Sequence, residues 1–414
     1  AADLALAAPG RPVALWSFDH HAIWASAAGL TAGGIDARTP DPDGGIIRRL
    51  PDGAPEGVLL ENACSLVTGR IPDPSPAELR RMLGAMGRRL VSLGVVGVHD
   101  PGNVSPDAEL GAFDAYAAMA DAGELSIRVH ACLRSEGLGL AAARGLRSGA
   151  VLGDDPAGRA RVGWLKLFAD GTLGSGTAAL LEPREGSADR GVFRMSPEVL
   201  RDLAARAADV GIASQVHAIG DAAARAALDA LEPTVGRVPL MPRLEHVQLV
   251  HPDDLGRLAA AGIAASVQPV HLREDAATAR RDWGARAESW GYTWRSILES
   301  RAVLAFGTDA PVEPIDPWPG IAIAVLRRDP GWGSDAAPFG PDEALTLEEA
   351  LRAATVGPST TAREPDRGRL VPGARADLLV LPAAPREVAE EAAAGFARVR
   401  PRLVVVDGEV AFES

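Results

Sequence analysis

Short apolar runs alternate along the chain with longer stretches in which Ala, Leu and Arg recur at helical spacing. The seven runs lie at residues 95–100, 126–133, 162–168, 212–217, 244–248, 263–268 and 303–309. Helical patterns such as 197–208 and 222–231 separate them. This alternation predicts a parallel sheet of βαβ units, and seven strands over about 220 residues indicate an α/β fold of the (β/α)8 TIM-barrel type, which closes with eight strands.

Both ends of the chain carry patterns that differ from the barrel. Residues 1–72 contain a strand within 11–24 and a turn at 41–45, which predicts a small β-containing insertion. Residues 347–355 predict one more helix that ends before Pro358. Beyond it, 376–381 and 402–410 predict strands, the second with an Asp-Gly hairpin turn, and so few strands need partners to form a stable domain.

Composition restricts the function classes. Apolar residues make up 47% and charged residues 23% of 414, which is typical of a globular enzyme rather than a disordered chain. The net charge of −13 argues against binding to nucleic acid or to an anionic membrane. Two cysteines make no disulfide framework, and no run of about 18 apolar residues would span a membrane. We expect a cytoplasmic protein, and because it begins at Ala1 without Met we expect a longer natural protein.

Positive charge is carried almost entirely by arginine. Lys and Arg together number 42, and Lys166 is the one lysine among them. Arginine stays protonated in proteins, whereas a lysine can lose its proton and become a nucleophilic amine. A lysine retained against this bias either forms an ordinary ion pair or supplies chemistry that a guanidinium cannot. The position of Lys166 near a predicted strand end favours the chemical role.

Four residues fall at or near the carboxyl ends of predicted strands, where TIM barrels carry their active sites. They are Lys166, His217, His246 and Asp309. Imidazole and carboxylate are ligands of zinc and similar divalent ions. A lysine carbamylated by CO₂ becomes a carboxylate that can bridge two metals. A single histidine near a strand end is more often structural, but the convergence of these residues favours a metal site.

The chain resembles the YtcJ-like branch of metal-dependent amidohydrolases (amidohydrolase family 3). The resemblance rests on WLKLFADGTLGSGTA at 164–178, VHAIGD at 216–221, LEHVQ at 244–248, SVQPVHLRED at 266–275, FGTDAPVE at 306–313 and GRLVPGARADLLVL at 368–381. It extends to RPVALWSFDHHAIW at 11–24, so it spans nearly the whole chain.

The resemblance implies a (β/α)8 barrel with a small composite β-sandwich. We expect an insertion subdomain at 1–72, the barrel at 73–362 and the C-terminal part of the sandwich at 363–414. Lys166 would be the carbamylated bridging ligand, His217 and His246 metal ligands, and Asp309 a ligand and general base. The catalytic group would be Asp309, Lys166 and His246, acting with one or two zinc ions.

The chain departs from this family at one motif. The family has a His-x-His pair at the end of its first barrel strand, and no such pair occurs here. We expect the first barrel strand to be absent, which leaves an open sheet edge and low or no activity. In the alternative, the front strand pairs with 303–309, and Asp19 and His21 replace the pair because they share a strand face. We expect the front strand to remain in the insertion.

Two functions remain open at this point. The first is a metal-dependent hydrolase of non-peptide carbon–nitrogen bonds in a small-molecule amide, and a homodimer is compatible with it. Substrate contacts would come from His21, Trp24, Asp170, Gln268 and His271. The second is a metal-poor, non-catalytic binding protein or an inactive fragment of such a hydrolase, since loss of His-x-His removes two imidazoles from the metal site.

Overall fold

The structure is a computed structural model that describes residues 2–17, 22–42, 45–72, 74–102, 111–333, 335–383 and 393–414. The chain divides into two compact units, Ala1–Glu78 and Leu79–Ser414. Within the described residues, no helix has both the length and the apolar character needed to cross a membrane. The three-part division expected from the sequence stays a prediction.

The front unit is built on a four-stranded antiparallel sheet in the order β1-β2-β4-β3. Its strands are β1 (Ala14–Trp16), β2 (Ala22–Ala25), β3 (Gly45–Arg49) and β4 (Pro55–Glu61). Its helices are Ala2–Ala7, Ala27–Ala32 and Ser65–Thr68. Alternate side chains Ile23 and Ala25 of β2 are buried, while Trp24 between them is 37% exposed, as the two-residue period of a strand requires.

The second unit contains a seven-stranded parallel sheet in the order β11-β10-β9-β8-β7-β6-β5. Its strands are β5 (Gly97–Asp100), β6 (Arg128–Arg134), β7 (Ala160–Phe168), β8 (Ser214–Ala218), β9 (Arg243–His246), β10 (Ala264–Val267) and β11 (Leu304–Phe306). Every neighbouring pair is parallel and consecutive in the chain. The predicted parallel (β/α) barrel architecture is thereby confirmed.

Helices join the strands and cover the sheet. They are Pro76–Ser92, Gly111–Asp121, Leu138–Ala143, Pro197–Asp209, Asp221–Leu231, Pro252–Ala261, Leu272–Trp283, Arg286–Trp290, Trp294–Glu299, Pro317–Leu326, Leu347–Thr361 and Ala393–Phe396. Their Ala- and Leu-rich faces pack against the strands in one main core, in which Trp283 and Trp294 are fully buried. Trp164 is also fully buried and lies in a smaller second cluster with Cys132 and Leu240. This packing of helices against strands holds the sheet in place.

The open edges of the sheet lie at β5 and β11. Neither has a second strand partner among the described residues. Strand β1 pairs with β2 within the front unit and β11 pairs with β10, so the alternative pairing of the front strand with 303–309 is not found among the described residues. Asp19 and His21, which that alternative needed, lie outside the described residues.

The helix that precedes the C-terminal segment is longer than its sequence predicts. It continues through Pro358 to Thr361, because a stripe of buried small residues holds it against the core. Gly357 lies in this stripe, and a Cβ there would come 2.2 Å from the carbonyl oxygen of Leu304 on β11. This close packing offsets the hydrogen bond that the proline removes.

The C-terminal sheet has the order β12-β13-β14, with β12 (Leu378–Val380), β13 (Leu403–Val406) and β14 (Glu409–Glu413). The predicted Asp-Gly hairpin joins β13 to β14, and Asp407 and Gly408 both have a positive φ, as such a tight turn requires. Arg128 at the start of β6 is buried and binds Asp377, at 3.1 Å, and Asp407. This ion-pair cluster attaches the sheet to the barrel.

We predict that Gly357→Ala lowers the free energy of unfolding by about 1–3 kcal/mol, because the added methyl overlaps the backbone of β11. The matched control is Gly256→Ala on the exposed face of another helix, where a Cβ meets nothing within 4 Å. That control should gain up to about 1 kcal/mol from helix propensity. Urea unfolding measures both, and a Gly357→Ala variant as stable as the parent would contradict the close packing.

Candidate functional site

The strand register brings three of the four sequence-predicted ligands to the carboxyl end of the sheet. Lys166 lies two residues before the end of β7, His217 one residue before the end of β8, and His246 is the last residue of β9. Phe168 pairs with His217, and Ala218 pairs with His246. Because neighbouring parallel strands end together, the side chains at these positions converge at one opening.

Three residues hold potential ligand atoms close together: His246, His271 and Asp309, with one such atom from each within 4.8 Å of the others. His271 belongs to a short helical turn after β10, and Asp309 lies three residues beyond β11. Nδ1 of His246 is buried and has no hydrogen-bond partner among the described residues. A buried polar atom without a partner is costly, so this nitrogen is suited to a ligand.

The backbone is strained at two of these residues. His246 has φ of 73° and Asp309 has φ of 57°, in the left-handed region that side chains other than glycine rarely adopt. Each such residue costs on the order of 1–3 kcal/mol, and such strain is concentrated at functional sites. The turn of the backbone at each strand end directs the side chain into the cluster instead of along the strand.

His217 lies directly beside this cluster. Its ring centroid is 4.5 Å from that of His246. Its Nε2 donates to the carbonyl oxygen of Gly171 at 2.8 Å, so Nδ1 carries the lone pair when the ring is neutral. Burial and the nearby charge of Lys166 lower the pKa of His217 to about 3. The ring is therefore neutral at pH 7, as metal ligation requires.

Lys166 is buried with 6% of its surface exposed. Burial lowers the pKa of its ammonium, against the opposing charges of Glu245 and Asp309. A lowered pKa increases the neutral amine fraction, which is the form that reacts with CO₂. The burial of Lys166 thus favours carbamylation, the reaction that the sequence pattern indicated for this lysine.

His271 lies between two carboxylates. Its Nε2 is 3.6 Å from Oδ2 of Asp309, and its Nδ1 is 3.5 Å from Oε1 of Glu313. Burial lowers the pKa of this imidazole, but the bonds to Asp309 and Glu313 outweigh burial and raise it to about 10. For Asp309 burial acts in the opposite direction and raises the pKa, but His271 and His246 hold this pKa below its usual range. The free cluster therefore contains a protonated imidazole and an ionised Asp309.

Asp170 and Gln268 were expected to contact substrate. Asp170 is fully buried and accepts backbone N–H groups of Ala179, Ile219 and Gly220 at 2.9, 3.0 and 2.9 Å. These bonds give it a role in holding the loops after β7 and β8, where burial raises its pKa to about 7. Gln268 is buried at the end of β10, and its Oε1 has no partner among the described residues, which keeps it available to a ligand.

The remaining two substrate predictions concern the front unit. Trp24 lies on β2 and is exposed at the surface. His21 lies outside the described residues. Both stay predictions.

Sequence reasoning missed several polar residues around His271. Glu313 lies four residues after Asp309, and Asp275 four residues after His271. Asp275 accepts from Nε2 of Gln248 at 3.0 Å and from the hydroxyl of Tyr292 at 2.9 Å. All of these except Tyr292 occur in the motifs quoted above, so a four-residue spacing from the candidate ligands was the signal that could have identified the two acids.

A second polar layer lies below the cluster inside the sheet. Arg243 contacts Oε1 of Glu245 at 3.0 Å and Nδ1 of His99 at 2.6 Å, and its guanidinium lies 4.0 Å from the Trp164 ring. His130 packs against the same histidine and tryptophan. His99 and His130 therefore pack within this layer, which positions Glu245, and the charge of Glu245 acts on Lys166.

Comparison with known proteins relates the chain to one family. Residues 1–412 match the amidohydrolase family. The chain is 30% identical to YtcJ of Bacillus subtilis, named as an amidohydrolase, over 99% of this chain and 76% of that protein. It is 28% identical to N-substituted formamide deformylase of Arthrobacter pascens over 90% of this chain and 69% of that enzyme.

A solved structure agrees with the sequence matches. The uncharacterised metal-dependent hydrolase of Pyrococcus horikoshii superposes with a TM-score of 0.73 at 28% identity. The match covers 89% of this chain and 71% of that one. The resemblance inferred from the motifs is confirmed.

We predict that His246→Asn lowers the affinity for Zn²⁺ or Co²⁺ by roughly tenfold or more, since even loss of a residue supporting a ligand typically costs 10–100-fold. Asn tolerates the left-handed backbone, so the change removes an imidazole without adding strain. Metal content after equilibrium dialysis measures the effect. The control is His251→Gln, whose ring caps a helix outside the cluster; equal losses in both variants would contradict the proposed site.

Proposed function

The chain belongs to the amidohydrolase family, and from that premise we propose that it hydrolyses a non-peptide carbon–nitrogen bond in a small-molecule amide. The single observation that carries the proposal is the convergence of ligand atoms of His246, His271 and Asp309 within 4.8 Å at the carboxyl end of the parallel sheet. The name of the Arthrobacter relative makes N-substituted formamides the first substrate class to examine.

The donor set fits a divalent ion. His217 and His246 are buried beside one another, Nδ1 of His246 has no partner among the described residues, and Asp309 is ionised. We assign His217, His246, Asp309 and a carbamylated Lys166 as ligands of one or two ions, with zinc foremost. His271, expected as a substrate contact, is close enough to ligate as well. A bound divalent ion supplies Lewis acidity that polarises a carbonyl and makes water more acidic.

Side chains of this protein transfer the proton during hydrolysis. Asp309 takes a proton from the attacking water on a carboxylate oxygen and passes it to the leaving nitrogen. His271, 3.6 Å away, holds that carboxylate in place, and Glu313 holds the ring from its other side. Gln268 offers an unpaired Oε1 that orients the substrate by accepting its N–H group.

A non-catalytic binding protein is the second candidate. One observation favours it: the sequence has no His-x-His pair, and a single cluster of potential ligands occurs in the described residues. Such a protein would bind one ion and an amide without turning it over. Turnover measurements separate the two candidates.

We predict slow hydrolysis of N-substituted formamides, because the chain has no His-x-His pair to complete the metal site, and we expect chelation to abolish it and added Zn²⁺ to restore it. Asp309→Asn should lower kcat by at least about 100-fold, because general acid–base groups contribute about 10²–10⁴-fold. The control Asp253→Asn changes an exposed acid in the first turn of a helix. Formate release measures the rate, and activity that survives both chelation and Asp309→Asn would reject the proposal.

Lys166 provides a separate prediction. A carbamate on its amine would make metal loading depend on bicarbonate, so protein reconstituted in CO₂-free buffer should bind fewer ions. Lys166→Arg keeps the positive charge but has no amine to carbamylate, and should therefore not respond to bicarbonate. Metal stoichiometry and intact mass measure this. Full metal loading with an unmodified Lys166 would contradict the carbamate.

A further inference from the structure

Three cationic side chains surround one aromatic ring at the opening of the sheet. The centroid of the Phe168 ring lies 4.9 Å from Cζ of Arg134, 4.9 Å from Nζ of Lys166 and 5.0 Å from Cζ of Arg194. Each distance is within the roughly 6 Å range of a cation–π contact. We call Arg134, Phe168 and Arg194 the arginine clamp.

The fold sets the position of the clamp. Arg134 is the last residue of β6 and Phe168 the last residue of β7, so they share the edge that carries the candidate ligands. The loop after β7 returns to that strand, where Asp170 bridges to Phe193. Arg194 then donates its backbone N–H to the carbonyl oxygen of Ala169 at 2.8 Å. Its backbone is anchored while its side chain stays exposed.

The clamp brings together charges that repel each other. Arg194 repels Arg134, and Asp100 and Glu136 attract Arg134. Among the described residues no carboxylate forms an ion pair with the Arg194 side chain, although acidic residues outnumber basic ones 55 to 42 in the chain. Two converging guanidinium groups, of which Arg194 has no ion-paired carboxylate among the described residues, favour an anion between them, and their planar forks match a carboxylate.

The clamp also adjoins the candidate metal ligands. The Phe168 ring centroid lies 5.4 Å from that of His217, and Lys166 contacts the same ring. The charge of Arg194 acts on His217 as well. A single small substrate could therefore place an anionic group in the clamp and its scissile bond beside His217 and Lys166.

We propose that the arginine clamp binds a carboxylate of the substrate, so that the chain acts on amides that carry a carboxylate near the scissile bond. This inference rests on the proposed function. Phe168 orders the two guanidinium groups through its ring face, and Arg134 and Arg194 make the charge-assisted hydrogen bonds. Both arginines determine specificity, and neither takes part in proton transfer.

One experiment tests the clamp and the hydrolase proposal separately. N-formylglycine and N-formylglycinamide differ only in a carboxylate replaced by a neutral amide. Ligand-observed NMR titration of the zinc-loaded protein gives the affinity of each probe, and the appearance of free formate in the same sample reports turnover. Variants are Arg134→Gln, Arg194→Gln and Arg194→Lys, with Arg201→Gln on an exposed helix face as the control.

We expect the parent protein to bind N-formylglycine at least about tenfold more tightly than N-formylglycinamide, as a pair of charge-assisted bonds implies. Arg134→Gln and Arg194→Gln should each reduce that preference several-fold, Arg194→Lys should retain part of it, and the control should retain all. Metal content and circular dichroism of each variant exclude loss of the ion or of the fold. If Arg134→Gln folds poorly, Arg194→Gln still tests the clamp, because the Arg194 side chain is exposed and its replacement leaves the core unchanged.

Equal affinities for the two probes, or no measurable binding of either, would overturn the clamp. A preference that survives in the Arg134→Gln, Arg194→Gln double variant would overturn it too. If the arginines serve only to neutralise a carbamate on Lys166, their loss reduces metal loading without changing the preference, which also contradicts it. Carboxylate-selective binding without formate release would support the clamp and reject the hydrolase proposal.

Discussion

The structure depends on one constraint: seven parallel strands end at the same edge, and ionisable side chains at those ends must share a buried space. His217 and His246 respond by staying neutral, because burial disfavours their charged forms. His271 responds in the opposite way, because carboxylates on both sides stabilise its proton. The sheet thus produces neighbouring imidazoles in different charge states: His217 and His246 are ready to ligate an ion, whereas His271 must first lose its proton.

The interior beneath this edge explains how such a cluster stays ordered. Arg243 on β9 bonds to Glu245 on the same strand and to His99 on β5, and stacks on Trp164 of β7. Each partner fixes the next, so Glu245 is held where its charge acts on Lys166. A buried ion pair of this kind adds little net stability and is better understood as a device that specifies geometry. The strained backbone occurs where the chain leaves the sheet, at the end of β9 for His246 and three residues beyond β11 for Asp309, so the paired strand fixes the chain that enters each turn.

Periodicity predicted the sheet, because buried parallel strands are continuous apolar runs that stand out between helices. It identified the strand carrying Lys166 and the strand end at His246. It did not identify the relation of His271 to Asp309, which depends on the paths of two loops, and loop paths leave no periodic signal. The helix through Pro358 was misjudged for a similar reason, since contact with β11 overrides the local preference of proline to end a helix. Glu313 was missed because no pattern distinguishes an acid that bonds to a histidine from one at the surface.

The arginine bias of the chain makes the position of Lys166 physically informative. A guanidinium cannot lose its proton in a protein, so it can replace lysine wherever only charge is required. At position 166 burial lowers the pKa of the amine against the charges of Glu245 and Asp309, and nearby Arg134 and Arg243 add to that lowering. The same arginines would stabilise the site once the amine became an anionic carbamate. A second anion, from a substrate, is then accommodated by Arg194, which lies nearer to solvent. One set of fixed positive charges thereby favours both the deprotonation of the lysine and the binding of anions around it.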